Sequence, residues 1–289
     1  MNGVEIQIAP GIYRELLTFR KDLDLTLKGM GTGVYGDDVV IQYTNGNNMN
    51  GSTSGRSLAY FASKHTIRLV NLTLKNTGQK SAVGQAETIY FNSDTGKLIA
   101  ENCSFKSQQD TILTKGYNWF YQCYVEGNTD FIWGYAQACL FEDCKIQALD
   151  NNGNHSVIFQ ARCPQNSNGY VLLNCEIHNA NPSLKGSYLA RSSGNASVQD
   201  NVSIINCRLT GSSIISKWYN KEVNSNTPDP SPLAASALAG WKQYGLTDTL
   251  DNQVTIVDGN SYTLTEDEYL KNWSDRYLIL GSDWLLTRP

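Results

Sequence analysis

Six short segments of the 289-residue chain repeat one pattern: VNLTL at 70–74, NCSF at 102–105, QCYV at 122–125, DCKI at 143–146, NCEI at 174–177 and NCRL at 206–209. In each, an Asn, Gln or Asp precedes a Cys or Leu, and a large apolar residue follows two places later. From Asn71 through Asn102, Gln122, Asp143, Asn174 and Asn206 the intervals are 31, 20, 21, 31 and 32 residues, and Leu25-Thr26-Leu27-Lys28 echoes Leu72-Thr73-Leu74-Lys75. Each unit holds a short alternating run bounded by turn formers, and a unit of that size can bury its apolar face only by stacking on its neighbours. The pattern therefore predicts an all-β chain wound as a right-handed, single-stranded parallel β-helix. A β-sandwich, with strands spaced about 8 to 12 residues apart, accounts for neither the repeated Asn-Cys pair nor its longer period.

The repeat also assigns the cysteines. Five of the seven, Cys103, Cys123, Cys144, Cys175 and Cys207, hold the same place in their units and read as small buried hydrophobes rather than disulfide or metal partners. Cys139 and Cys163 lie outside the ladder and read as free thiols. The polar residue beside each ladder cysteine is expected to pair its side chain from coil to coil. After about residue 210 the pattern stops. Pro228, Pro230 and Pro232 are followed by LAASALAGWKQYG at 233–245, read as a short helix, and by LTEDEYLKNWSD at 264–275, where Thr265 and Glu268 can form a capping box. One domain over 1–289 is expected, with repeats over about 1–225 and a tail over about 226–289 that contains short helices and packs on the stack.

Composition excludes several partners. A net charge of −4 and the absence of a dense Lys/Arg run argue against nucleic acid. Nothing approaches the run of about 20 apolar residues that spans a bilayer. The N-terminal MNGVEIQIAPGIYRE lacks the basic and apolar regions of a signal peptide, which is compatible with a mature or truncated chain. His65, His155 and His178 sit at no metal-ligand spacing, so no metal and no cofactor are expected.

Three strings stand out against the repeats: Gln85-Ala86-Glu87, Gln109-Asp110-Thr111-Ile112 and Asp130-Phe131-Ile132-Trp133-Gly134. The 20 residues from Asp110 to Asp130 equal one short coil, which would set the two carboxyls on neighbouring strands about 5 Å apart in backbone. Carboxyls that close cannot both ionise freely, so one serves as nucleophile and the other as acid, with amides available for an oxyanion. Spacing alone leaves the alternative of turn or ladder aspartates open.

Taken together, GIYRE at 11–15, QAETIYF at 85–91, QQDTI at 108–112, NTDFIWG at 128–134, YLARS at 188–192, YTLTEDEY at 262–269 and GSDWL at 281–285 resemble, in order, the signature segments of the pectin methylesterases, carbohydrate esterases of homogalacturonan. The resemblance implies hydrolysis of pectin methyl esters to pectate and methanol, by a secreted and monomeric enzyme acting on methyl-esterified polygalacturonate. It makes Asp130 the nucleophile, held ionised by Arg191, and Asp110 the acid for the departing methanol. Gln85 and Gln109 become the oxyanion donors, and Trp133 stands where the family usually has Phe. Tyr117 and Trp119, between the two aspartates, are expected near the cleft. Three features depart from the family pattern: Ser192-Ser193 replaces a Pro-Trp pair after the arginine, Leu113 replaces a Tyr, and the strand and helix expected before GIYRE are missing or very short. Two other functions stand beside the first, namely the same apparatus working on another ester or an acyl-thioester, and a non-catalytic β-helix that binds acidic polysaccharide.

Overall fold

A computed structural model describes residues 3–180, 187–195, 197–211, 218, 235–256 and 261–284. The chain winds as a right-handed parallel β-helix. Each full coil lays one segment on each of three faces. The coil containing Ile112–Tyr121 and Tyr124–Gly127 shows how: Ile112–Thr114 pairs with Ile89–Phe91 on the first face, residues 117–121 pair with Lys97–Glu101 on the second, and Tyr124–Gly127 lies between Ser104–Lys106 and Lys145–Ala148 on the third. The strands Ile112–Tyr121 and Ile132–Glu142 run unbroken from the first face to the second, with a register shift at Gly116/Tyr117 where the chain bends. Gly116 has a φ of 61°, and a Cβ there would meet the Ser93 carbonyl oxygen at 2.4 Å, so the bend needs glycine.

The repeated polar residue sits at the turn between the second and third faces, and its backbone conformation explains its identity. Asn71, Asn102, Gln122, Asp143, Asn174 and Asn206 all have φ between 48° and 55°. This left-handed region costs most L-residues about 1–2 kcal/mol, and Asn and Asp tolerate it best. Each backbone N–H at this turn reaches the next coil, as in Asn71 to the Glu101 carbonyl at 3.0 Å and Gln122 to the Glu142 carbonyl at 3.0 Å. The expected side-chain ladder is reduced to one rung among the described residues, Asn102 Nδ2 donating to Asn71 Oδ1 at 2.8 Å. Gln122 and Asn174 point to solvent instead. Turn geometry, more than amide pairing, selects these residues.

Inside the turn the five ladder cysteines stack, all free and buried. The backbone N–H of Cys123 donates to Cys144 Sγ at 3.3 Å and that of Cys144 to Cys175 Sγ at 3.4 Å, so each sulfur also links coils. Phe120 stacks on Phe141 with centroids 4.6 Å apart, and Phe105 meets Phe120 edge-on at 5.3 Å. Cys139 and Cys163 are free and buried as well.

Two expectations about the tail need correction. No helix forms over the described part of 233–245. Instead Trp241–Tyr244 is a strand in register with Val202–Ile205, and Ser261–Thr263 adds a further parallel strand, so the stack extends past residue 225. Burial overrides helix propensity here: Trp241 is fully enclosed and stacks on Trp218 at 6.0 Å. The helices that do form are Glu266–Asn272, with the Thr265/Glu268 capping box, and Arg276–Leu280. They cover the second face, where Trp273, Ile279, Leu280 and Trp284 pack with Ile99, Trp119 and Leu140.

Candidate active site

The first face carries a polar cavity of about 300 Å³ lined by Thr53, Arg56, Gln85, Gln109, Asp110, Asp130, Trp133, Gln160, Arg162 and Arg191. Stacking brings these residues together, for most lie in or beside the strands of successive coils. Gln85 and Glu87 lead into Ile89–Phe91, Gln109 and Asp110 into Ile112–Tyr121, and Asp130 into Ile132–Glu142. Gln160 lies in Ser156–Ala161, and Arg191 follows Ser187–Ala190. A parallel bridge joins Gln109 to Thr129, and the Asp110 backbone N–H donates to the Thr129 carbonyl at 3.1 Å, which sets Asp110 one coil from Asp130. Both aspartates are left-handed, with φ of 63° and 46°, and both are almost fully buried.

Their environments differ. Arg191 donates from Nε to Asp130 Oδ1 at 2.7 Å and from Nη2 to Oδ2, a two-point ion pair. Among the described residues, the Asp110 carboxylate accepts one side-chain hydrogen bond, from Arg56 Nη2 at 3.2 Å. Burial pushes the Asp130 carboxyl above its ordinary value, with Arg191 the largest opposing influence. The arginine therefore limits the rise without producing a net lowering. Asp110 is driven well above the carboxylate range, first by burial and then by the negative charges of Glu87 and Asp130, against weaker pulls from Arg56 and Arg162. Of the two carboxyls, Asp110 is therefore the one that holds a proton more tightly.

Five of the predicted residues, Asp110, Asp130, Gln85, Gln109 and Arg191, meet at the cavity together with Trp133, against whose ring Arg162 lies at 5.1 Å. Tyr117 and Trp119 do not. They belong to the second face, where the coil has turned away from the cavity. Trp119 donates to Glu142 Oε2 at 2.9 Å and lies beneath Arg276 at 3.9 Å, under the C-terminal helices. After Arg191, the Ser192 hydroxyl donates to Asp200 Oδ2 at 2.6 Å, an anchor for the segment in place of Pro-Trp.

Sequence reasoning missed Arg56, Gln160 and Arg162, and it singled out Glu87 without giving it a role. Arg162 Nη2 donates to Gln160 Oε1 at 2.7 Å. Arg56 Nη1 donates to Gln85 Oε1 at 2.5 Å, and since a guanidinium only donates, the Gln85 NH₂ is left as that amide's donating end. Among the described residues no group of three or more His, Cys, Asp or Glu side chains is arranged to hold a metal ion. No helix among them is long and apolar enough to cross a membrane.

The fold and site define a β-helix with two buried carboxyls on one face, and comparison with known proteins gives the family. The sequence profile of the Pectinesterase family matches residues 2–216, so the chain belongs to that family. It is 31% identical over 199 residues to probable pectinesterase 50 of Arabidopsis thaliana, which covers 66% of this chain and 51% of the relative. It is 34% identical over 124 residues to probable pectinesterase/pectinesterase inhibitor 64 of the same plant, covering 40% of this chain and 20% of the relative. The chain thus spans about half or less of the length of these curated relatives. Among solved structures, pectin methylesterase PemA from Erwinia chrysanthemi superposes with a TM-score of 0.75 at 20% identity, over 100% of this chain and 91% of that one. A pectin methylesterase in complex with a hexasaccharide superposes at 0.73 with 19% identity, again over 100% and 91%. At those identities the likeness speaks for the fold.

Proposed function

We propose that residues 1–289 act as one esterase domain that hydrolyses methyl esters of homogalacturonan through an acyl-enzyme on Asp130. The observation that carries this reading is the asymmetry of the stacked carboxyls, Asp130 gripped at two points by Arg191 and Asp110 crowded by Glu87. Asp130, as carboxylate, attacks the ester carbonyl, and the amide NH₂ groups of Gln85 and Gln109 receive the oxyanion. Asp110 gives its proton to the departing methanol oxygen. The Asp110 carboxylate then takes a proton from a water that attacks the Asp130 acyl anhydride, which frees galacturonate and restores both aspartates. Arg191 stabilises Asp130 as nucleophile and again as leaving group, and Trp133 with Arg162 forms one wall for the sugar. The substrate would meet the enzyme in an extracellular setting.

Methanol release from highly methylated pectin tests this reading, run beside hydrolysis of an acyl-thioester and binding of demethylated polygalacturonate. Methanol release that Asp130→Asn abolishes is the expected result. Turnover of the thioester alone would support the second reading, to which the Ser192-Ser193 departure gives some footing. Binding of polygalacturonate without turnover would make the chain a polysaccharide-binding β-helix.

A further inference from the structure

Arg56 and Glu87 form an ion pair whose members are almost wholly buried beneath the cavity, and neither takes part in the chemistry just described. The guanidinium is shared among four side chains. Nε donates to Glu87 Oε1 at 3.0 Å and Oε2 at 2.8 Å, Nη2 donates to Glu87 Oε1 at 2.6 Å and to Asp110 Oδ2 at 3.2 Å, and Nη1 donates to Gln85 Oε1 at 2.5 Å and, at the longer distance of 3.5 Å, to Asn47 Oδ1. From this sharing we propose that Arg56 and Glu87 are positioning residues for ester hydrolysis: the Arg56 fork fixes which end of the Gln85 amide donates, and Glu87 occupies the Arg56 charge so that Asp110 keeps its proton. The proposal rests on the esterase reading of the same site.

The geometry shows why both members are needed. An arginine alone beneath Asp110 would draw that carboxyl into ionisation and disable it as an acid, because an opposite charge at this distance lowers a pKa by about 1–3 units. A glutamate alone would be an uncompensated buried charge. Together they orient Gln85 through a donor-only group while the Glu87 charge outweighs the pull of Arg56 on Asp110. The backbone ties the pair to the site as well: the Leu58 N–H donates to the Glu87 carbonyl at 2.9 Å, and the Asn76 side chain donates to that carbonyl at 3.3 Å. The charged groups facing Asp110 are Glu87, Arg56, Asp130 and Arg162, and Lys80 also interacts with both aspartates.

Two readouts test the proposal, one of them independent of substrate. In Glu87→Gln the negative charge is gone and Arg56 is released, and both changes favour ionised Asp110. Its carboxyl, followed by carbon-13 NMR, is expected to titrate at least one pH unit lower than in the wild type, roughly the lower end of an ion-pair shift. The alkaline limb of methanol release should move down in pH by the same amount. Arg56→Lys keeps the charge but loses the fork, and is expected to lower kcat about tenfold or more with KM little changed, since an oxyanion donor acts in the transition state. The double variant Arg56→Met with Glu87→Leu removes both buried charges and so guards against misfolding. It should fold and show the low kcat. An unmoved Asp110 titration in Glu87→Gln, or wild-type kcat in the double variant, would overturn the proposal. Absence of methanol release from the wild-type protein would refute the esterase reading instead, and the NMR titration would still decide the role of Glu87.

Discussion

Replacing Asp110 by Asn separates the two carboxyls most cleanly. Asn is nearly isosteric and accepts the left-handed φ of 63° that Ala would resist, so the backbone is spared a cost of about 1–2 kcal/mol. Its side-chain oxygen can still accept from Arg56 Nη2, which sits 3.2 Å from Asp110 Oδ2. What disappears is the transferable proton used in acylation, together with the carboxylate that serves as base in deacylation. General-acid assistance contributes about 10²- to 10⁴-fold, equivalent to about 3–5 kcal/mol of barrier. Methoxide is a very poor leaving group and needs all of that help, whereas a nitrophenolate departs unaided. Asp110→Asn should therefore lose about 10²- to 10⁴-fold in the acylation rate on methylated pectin and less than about tenfold in the first-turnover burst on an activated aryl ester, while steady-state turnover of both falls because deacylation needs Asp110 as base. Asp130→Asn should lose both. The first-turnover bursts of methanol and of nitrophenol, measured on the same preparations, provide the comparison. Equal losses of burst rate on both substrates in Asp110→Asn, with aryl-ester turnover surviving in Asp130→Asn, would reverse the assignment.

Three further outcomes are expected. Because burial raises the folded-state pKa of Asp110 and Asp130, the stability tied to their protonated forms is full below the ordinary carboxylate range and is lost as pH rises through the raised values. Asp110→Asn should thus melt above the wild type at pH 7, with a gap that narrows toward pH 4; a gap of constant size would show that Asp110 is not protonated in the folded state. All seven cysteines are free and buried, so a thiol reagent should label none rapidly in the native protein and seven in denaturant, and fast labelling of any ladder position would contradict the stack. Gln122 holds φ of 50° with its side chain in solvent, so Gln122→Asn should raise stability by about 0.5 kcal/mol in thermal or urea unfolding, and a loss would mean that its side chain makes contacts of its own.

The legible part of this chain is what repeats. The Asn-Cys pair recurs because each coil needs the same left-handed turn and the same small buried atom, so period and fold could be read together. The span 233–245 was not legible, since its alanines favour helix while the pull that makes Trp241–Tyr244 a strand comes from Val202–Ile205, far away in sequence. Tyr117 and Trp119 misled for a related reason. They lie between the two aspartates in sequence, but the bend at Gly116 carries them to another face. Arg56 and Arg162 were hidden because nothing local marks them. Arg56 ends a one-turn helix in an unremarkable TSGR segment, and only the stack sets it against Glu87 and Asp110, 31 and 54 residues on.

The rivalry between turn aspartates and reactive aspartates dissolves in the structure. Asp110 and Asp130 are turn residues, each in the left-handed conformation that the polar ladder residues adopt at another corner of the coil. Entering the first face through such a turn is what brings both carboxyls to the cavity, in parallel register through the Gln109–Thr129 bridge. An all-L chain holds that conformation most readily with Asn or Asp, and of these only Asp can both ionise and carry a transferable proton. The residue type that the turn tolerates is therefore also the one that the proposed chemistry requires. Differentiating two equivalent turns then takes only neighbours of opposite sign, Arg191 on one and Glu87 beside the other.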